Sequence, residues 1–339
     1  MRFCSTSLAI ALAFPAAAAS SQEVETPAGV VEFVGLHRWT IQMIQDSMRV
    51  HAPGKPLGQC ALVLRTIGFA SAQSLGVISP AGVSSTVVIV VEPQDSALVR
   101  FRKLPARRAL PPIDGWRNGY DVLKNNIAVF QRGTQDFGIH AIADTTLEQL
   151  ILASHPKDSA QLQSFWKFLE STRNARSAAL AERTLLNDSS VESRILAAAV
   201  LGAQRGRVRA WHVLVKGLRD PDERVAATAE MALTSLMAGE QTAVDWRPAV
   251  SDLRAILDGT NVLALQTTLQ VLTKTKVDPR LAPALLRESG GLVIDFLGSH
   301  SPTHKDAAHA FLVWLARRDL GTEPNEWNSW LREIHARAG

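Results

Sequence analysis

The chain has 339 residues, 46% of them hydrophobic and 20% charged, with a formal net charge of +4 at pH 7. This composition excludes a disordered chain, and the slight basic excess, with no long basic block, argues against nucleic acid as a partner. The length allows two domains.

Residues 1–20 read as a secretory signal peptide. Arg2 precedes an apolar run from Leu8 to Ala19, which closes on the small residues Ala17-Ala18-Ala19-Ser20. The run is short for a bilayer, and no later segment has about eighteen apolar residues without charge, so no membrane span is expected. Export, to the periplasm or beyond, is therefore predicted. There are two cysteines; Cys4 lies in the leader, so cleavage leaves Cys60 alone and no internal disulfide forms.

Residues 23–29 read as a linker. Helical spacing then predicts a helix over 36–50 (Leu36, Met43, Ile44, Met48) and another over 59–69. A β-branched run at 86–91, alternation with basic residues at 98–104, and two apolar stretches at 126–130 and 137–143 joined by polar residues predict strands, the last two as a hairpin. Residues 30–144 are accordingly expected to form a small α+β domain. Beyond 145 the period is helical to the C-terminus, giving an all-α domain over 145–339.

Within that second domain a degenerate echo of about 35 residues recurs. Leu186-Asn187-Asp188, Leu218-Arg219-Asp220 and Ile256-Leu257-Asp258 each close one apolar stretch and open the next. The following helices carry Ala197 and Leu201, Ala229 and Leu233, Thr267 and Val271 at matched places. Asp220-Pro221-Asp222-Glu223 supplies a cap oxygen and a proline at the first helical position; Asp278-Pro279 and Ser301-Pro302 repeat the device. From about residue 174 to 318 this pattern resembles the HEAT and armadillo repeats, best in Asp220 to Val225 with Ala229, Ala232 and Leu233. The resemblance implies a HEAT-like α-solenoid of helix pairs that acts by presenting a surface to a protein partner. Arg194, Thr228, Glu230 and Gln266 are the contact positions it suggests. An irregular helical bundle is the plainer alternative. Trp327 and Trp330, three apart on one helix, read as an aromatic cap on the last unit.

Three constellations carry chemistry, each with a structural alternative. Cys60 at a helix start, with His140 further on, has the residue order of a cysteine-dependent hydrolase or transferase. Against this, Ala61-Leu62-Val63-Leu64 looks like core, and Asp144 would lie about 13 Å from His140 along a strand. His300, His304 and His309 lack metal-ligand spacing; positions 304 and 309 point about 140° apart on a helix, which favours a solvated loop and helix start. Arg100, Arg102, Lys103, Arg107 and Arg108, interleaved with Phe101 and Leu104, form a basic cluster that could attract an anionic polymer or an acidic partner, but whose alternation reads more simply as a solvated strand face. The expected protein is an exported, non-enzymatic binder or scaffold without metal or cofactor, with the Cys60–His140 enzyme as the competing reading.

Overall fold

The computed structural model describes residues 21–78, 84–104, 115–239 and 243–338. The expected signal peptide, with Cys4, and the basic residues Arg107 and Arg108 lie outside the described residues.

The chain begins with a hairpin of β1 (Gln22–Thr26) and β2 (Gly29–Val34), continues through α1 (Ile41–His51) and α2 (Ala61–Thr66), and returns in a second hairpin, β3 (Ser71–Ile78) and β4 (Ser84–Val91). The sheet order is β1-β2-β4-β3, with both hairpins antiparallel and the central β2–β4 pair parallel. A parallel pair needs a long crossover, and α1 and α2 provide it. Alternation divides the central strands between two cores. Val31, Phe33, Val88 and Val90 pack with Ile44, Met48, Cys60 and Leu64. Val34, Val87, Ile89 and Val91 join the core of the helices that follow.

These helices are α3 (Arg117–Asn125), α4 (Ile127–Ala141), α5 (Thr145–Ser154), α6 (Ser159–Ser171), α7 (Ala175–Asn187), α8 (Val191–Gly202), α9 (Val208–Gly217) and α10 (Glu223–Leu236). Then come α11 (Val250–Leu257), α12 (Leu265–Lys274), α13 (Ala282–Leu285), α14 (Leu292–Leu297), α15 (Pro302–Ala316) and α16 (Pro324–Ala338). The protein is thus a small mixed sheet followed by many helices. From α7 onward the helices contact one another in two files. In one, α7 touches α9, α9 touches α11, and α11 touches α13; in the other, α8 touches α10, α10 touches α12, and α12 touches α15. Among the described residues no helix is long and apolar enough to cross a membrane.

Four expectations are corrected. Residues 23–29, expected as a linker, are largely strand β1 and its turn. Residues 98–104 add no strand: a short 3₁₀ helix (Pro93–Leu98) leads into an extended strap laid on the helices. Residues 126–130 and 137–143 are not a hairpin but the one helix α4, capped by Asn126, whose side chain accepts from the Val129 amide at 3.2 Å. The helical region consequently starts at Arg117 rather than 145, and α4 packs on α6 and α10. The signal lay in glycine: Phe130, Gly133, Thr134, Phe137 and Gly138 are buried at helical spacing. A Cβ on Gly138 would meet the Ser235 carbonyl oxygen at 2.1 Å, so this glycine permits close helix contact.

Candidate functional site

The aspartates that mark the internal echo are all buried: Asp188, Asp220 and Asp258. Asp220 lies at the centre of a charged network. Arg194, 1% exposed, donates from Nε to Asp220 Oδ2 at 3.0 Å and from Nη2 to Oδ1 at 3.1 Å. Its Nη1 donates to the carbonyl oxygens of Asp188 and Ser189. The strap brings a second guanidinium: Arg102 donates from Nε to Asp220 Oδ2 at 3.1 Å, pairs with it again through Nη2, and donates to the Leu185 and Leu186 carbonyls. Burial lowers the Arg102 guanidinium from its usual value, with Asp220 opposing the shift. Two cations thus share one carboxylate, and their remaining N–H groups satisfy carbonyls exposed at helix ends.

The strap is fixed along its length. Its Arg102 amide donates to the Arg219 carbonyl at 2.8 Å, and Arg219 Nε returns a bond to the Arg100 carbonyl at 2.9 Å. The Arg100 amide donates to Thr260 Oγ1 at 2.9 Å, and its side chain reaches Asp258 at 3.3 Å. Further along the same junction, Glu32 on β2 accepts from the His300 amide at 2.7 Å, and His37 pairs with Asp295 at 3.2 Å. Arg100 and Arg102 therefore hold the strap to the helices, a correction to their expected place on a solvated strand face. The alternation there reflected residues inserting between helix ends.

Sheet, strap and helices leave a cleft between them, with a cavity volume of about 140 Å³. The start of the edge strand β3 and Arg65 line it from the sheet side, Phe101 from the strap, and Glu223, Ala226, Ala227, Glu230, Val262 and Leu263 from the helices. Most of its charges are matched: Arg65 donates to Glu223 at 2.6 Å, and Asp220 is held by Arg102 and Arg194. Glu230 differs. It accepts a 2.8 Å hydrogen bond from Thr267 Oγ1, and no cation among the described residues forms an ion pair with it. Burial pushes its carboxyl up, with the Thr267 bond in partial opposition.

Comparison with protein-family models, with curated proteins and with solved structures finds no match for this chain.

Of the contact positions suggested by the sequence, only Glu230 lines the cleft. Arg194 and Thr228 are buried, Arg194 in the network around Asp220, and thus unavailable to a partner. Gln266, on α12, is half-buried outside the cleft lining. Cys60 and His140 are not brought together. Cys60 is wholly buried in the core between the sheet and α1–α2, and burial pushes its thiol up to about 12. His140, on helix α4, stacks on Trp166 with ring centroids 5.0 Å apart and bonds Glu148 at 3.0 Å. Asp144 instead caps α5, accepting from the Leu147 amide. His304, expected in a solvated segment, is buried against Phe296 with centroids 4.6 Å apart, and burial lowers its pKa. His309 pairs with Asp319, and His300 lies beside Glu23 and Glu32. Trp327 and Trp330 are buried together edge to face, 5.8 Å apart, on α16. Sequence reasoning did not single out Arg65 and met Phe101 and Glu223 only in a basic cluster and a helix cap, because the three come from separate segments and carry no common spacing.

Proposed function

We propose that the protein is an exported, non-enzymatic binding or scaffolding protein whose helices from α7 onward form a HEAT-like array of pairs. The two files of contacts and the buried aspartates at matched loops support the array. Export rests on Arg2, the apolar run Leu8 to Ala19 and the small residues closing it. The observation that carries the function is the cleft built jointly by β3, the strap, α10 and the segment leading into α12. Its walls come from parts of the chain that buried ion pairs hold in fixed relation, so it is a pre-organised place for recognition.

The inner faces of α8 and α10 are covered by α3 and α4. Recognition moves to the junction between sheet and helices. The test is photocrosslinking from residues placed at Ala227 and Leu263, with exposed Lys167 on α6 as control. A protein adduct common to both cleft positions and missing from the control is expected. Adducts distributed equally over all three positions, or none at the cleft, would discard the reading.

A further inference from the structure

Glu230 sets the chemistry of the cleft. It is an acid among Ala226, Ala227, Val262 and Leu263, satisfied at one oxygen by Thr267 and not ion-paired to any described cation. The other carboxylates nearby are occupied: Glu223 by Arg65, Asp220 by Arg102 and Arg194. The cleft therefore has a place for one positive charge. Its volume of about 140 Å³ is close to the roughly 150 Å³ at which an engineered apolar cavity admits benzene. A side chain fits such a space; a nucleotide or a folded segment does not.

We propose that the cleft receives a single lysine or arginine side chain from a protein partner, its cationic head at Glu230 and its carbon stem along the apolar wall. This rests on the protein-binding reading and names what that partner presents. Phe101, half exposed on the strap, supplies an aromatic ring against which a cation and its stem can lie. Arg65 argues against a free diamine, because a second ammonium would enter the field of its guanidinium. The edge position of β3, residues 71–73 of which line the cleft, suits a partner segment arriving in extended form.

The experiment is calorimetric titration with blocked short peptides that differ at one central residue: lysine, arginine, norleucine or citrulline. Butylammonium and cadaverine serve as free-amine probes. The lysine or arginine peptide should bind in the range up to millimolar, with the neutral pair at least about tenfold weaker. Glu230→Gln should weaken the charged peptide by about 20-fold or more while the thermal unfolding transition is retained. Leu263→Trp, which fills the cleft and leaves the acid in place, should abolish binding. The proposal falls if charged and neutral peptides bind alike, if none binds, if Glu230→Gln leaves the affinity unchanged, or if only the free amines bind. The two readings fail separately. Crosslinks that persist at Ala227 in Glu230→Gln would keep the partner and remove the charge site. Charged-peptide binding with no cleft-specific adduct would keep the charge site and remove the protein partner.

Discussion

Arg194 and Asp220 form a two-point ion pair in which Nε and Nη2 face the two carboxylate oxygens at 3.0 and 3.1 Å, both side chains being almost wholly buried. The pair joins the start of α8 to the loop before α10, and Arg102 brings the strap to the same carboxylate. A single aspartate thus ties successive helical units to each other and to the sheet.

Asp220→Asn leaves two buried guanidiniums without their shared counterion and should cost about 3–5 kcal/mol. Arg194→Met leaves Asp220 paired with Arg102 but takes the donor from the Asp188 and Ser189 carbonyls, and should cost less, about 1–3 kcal/mol. Urea titration followed by tryptophan fluorescence measures it; a loss below about 1 kcal/mol in both variants would refute the central role given to this pair.

Cys60 should be chemically silent in the native protein. Its thiol is wholly buried and its pKa is pushed up to about 12, first by burial. A small aromatic disulfide reagent should therefore react only after denaturant is added, and Cys60→Ala should cost about 1 kcal/mol without altering partner crosslinking. Fast labelling of the folded chain would reopen the nucleophile reading.

Gly138→Ala should destabilise by about 1–3 kcal/mol. An added methyl would meet the Ser235 carbonyl at 2.1 Å and the Ala238 side chain at 2.7 Å, where α4 rests on α10. Alanine ordinarily stabilises a helix relative to glycine, so the sign reports the packing. A raised melting temperature would show that the two helices do not touch in this way.

The His37–Asp295 pair should make stability depend on pH. The Asp295 carboxylate 3.2 Å from the His37 ring holds the imidazole above its ordinary 6.5, against desolvation. The folded state then binds the proton more tightly than the unfolded chain, so the contribution is complete below about 6.5 and is lost as pH rises through the folded value. Buried His304 is shifted down and acts in the opposite sense at lower pH, so His37→Gln is the needed comparison. Thermal melts across neutral pH should fall more steeply for the native chain than for His37→Gln. Equal slopes would remove the pair from the account.

Much of the helical half is legible from local chemistry. The cap sits two residues later than the sequence placed it, Asp222 rather than Asp220 accepting from the Arg224 amide at 3.0 Å with Pro221 ahead of the helix, while the apolar spacing of Ala229, Ala232 and Leu233 does mark a buried face. The reading failed where a residue's conformation is decided by its neighbour in space. Gly133 falls in the stretch expected to turn and Gly138 in one expected as a strand, yet they serve as contact points for Phe165 and α10. Arg100 and Arg102 alternate as on a strand, yet each side chain reaches an aspartate more than a hundred residues away in the chain.

Period, capping and composition determined a β-containing start followed by a long run of helices, because those signals act over a few residues and survive any packing. Only the tertiary structure decided which charges meet. Asp220 is saturated by two arginines and Glu230 is ion-paired with none among the described residues, a difference set by burial and by distant segments converging on α10 rather than by anything the two acids carry in the chain.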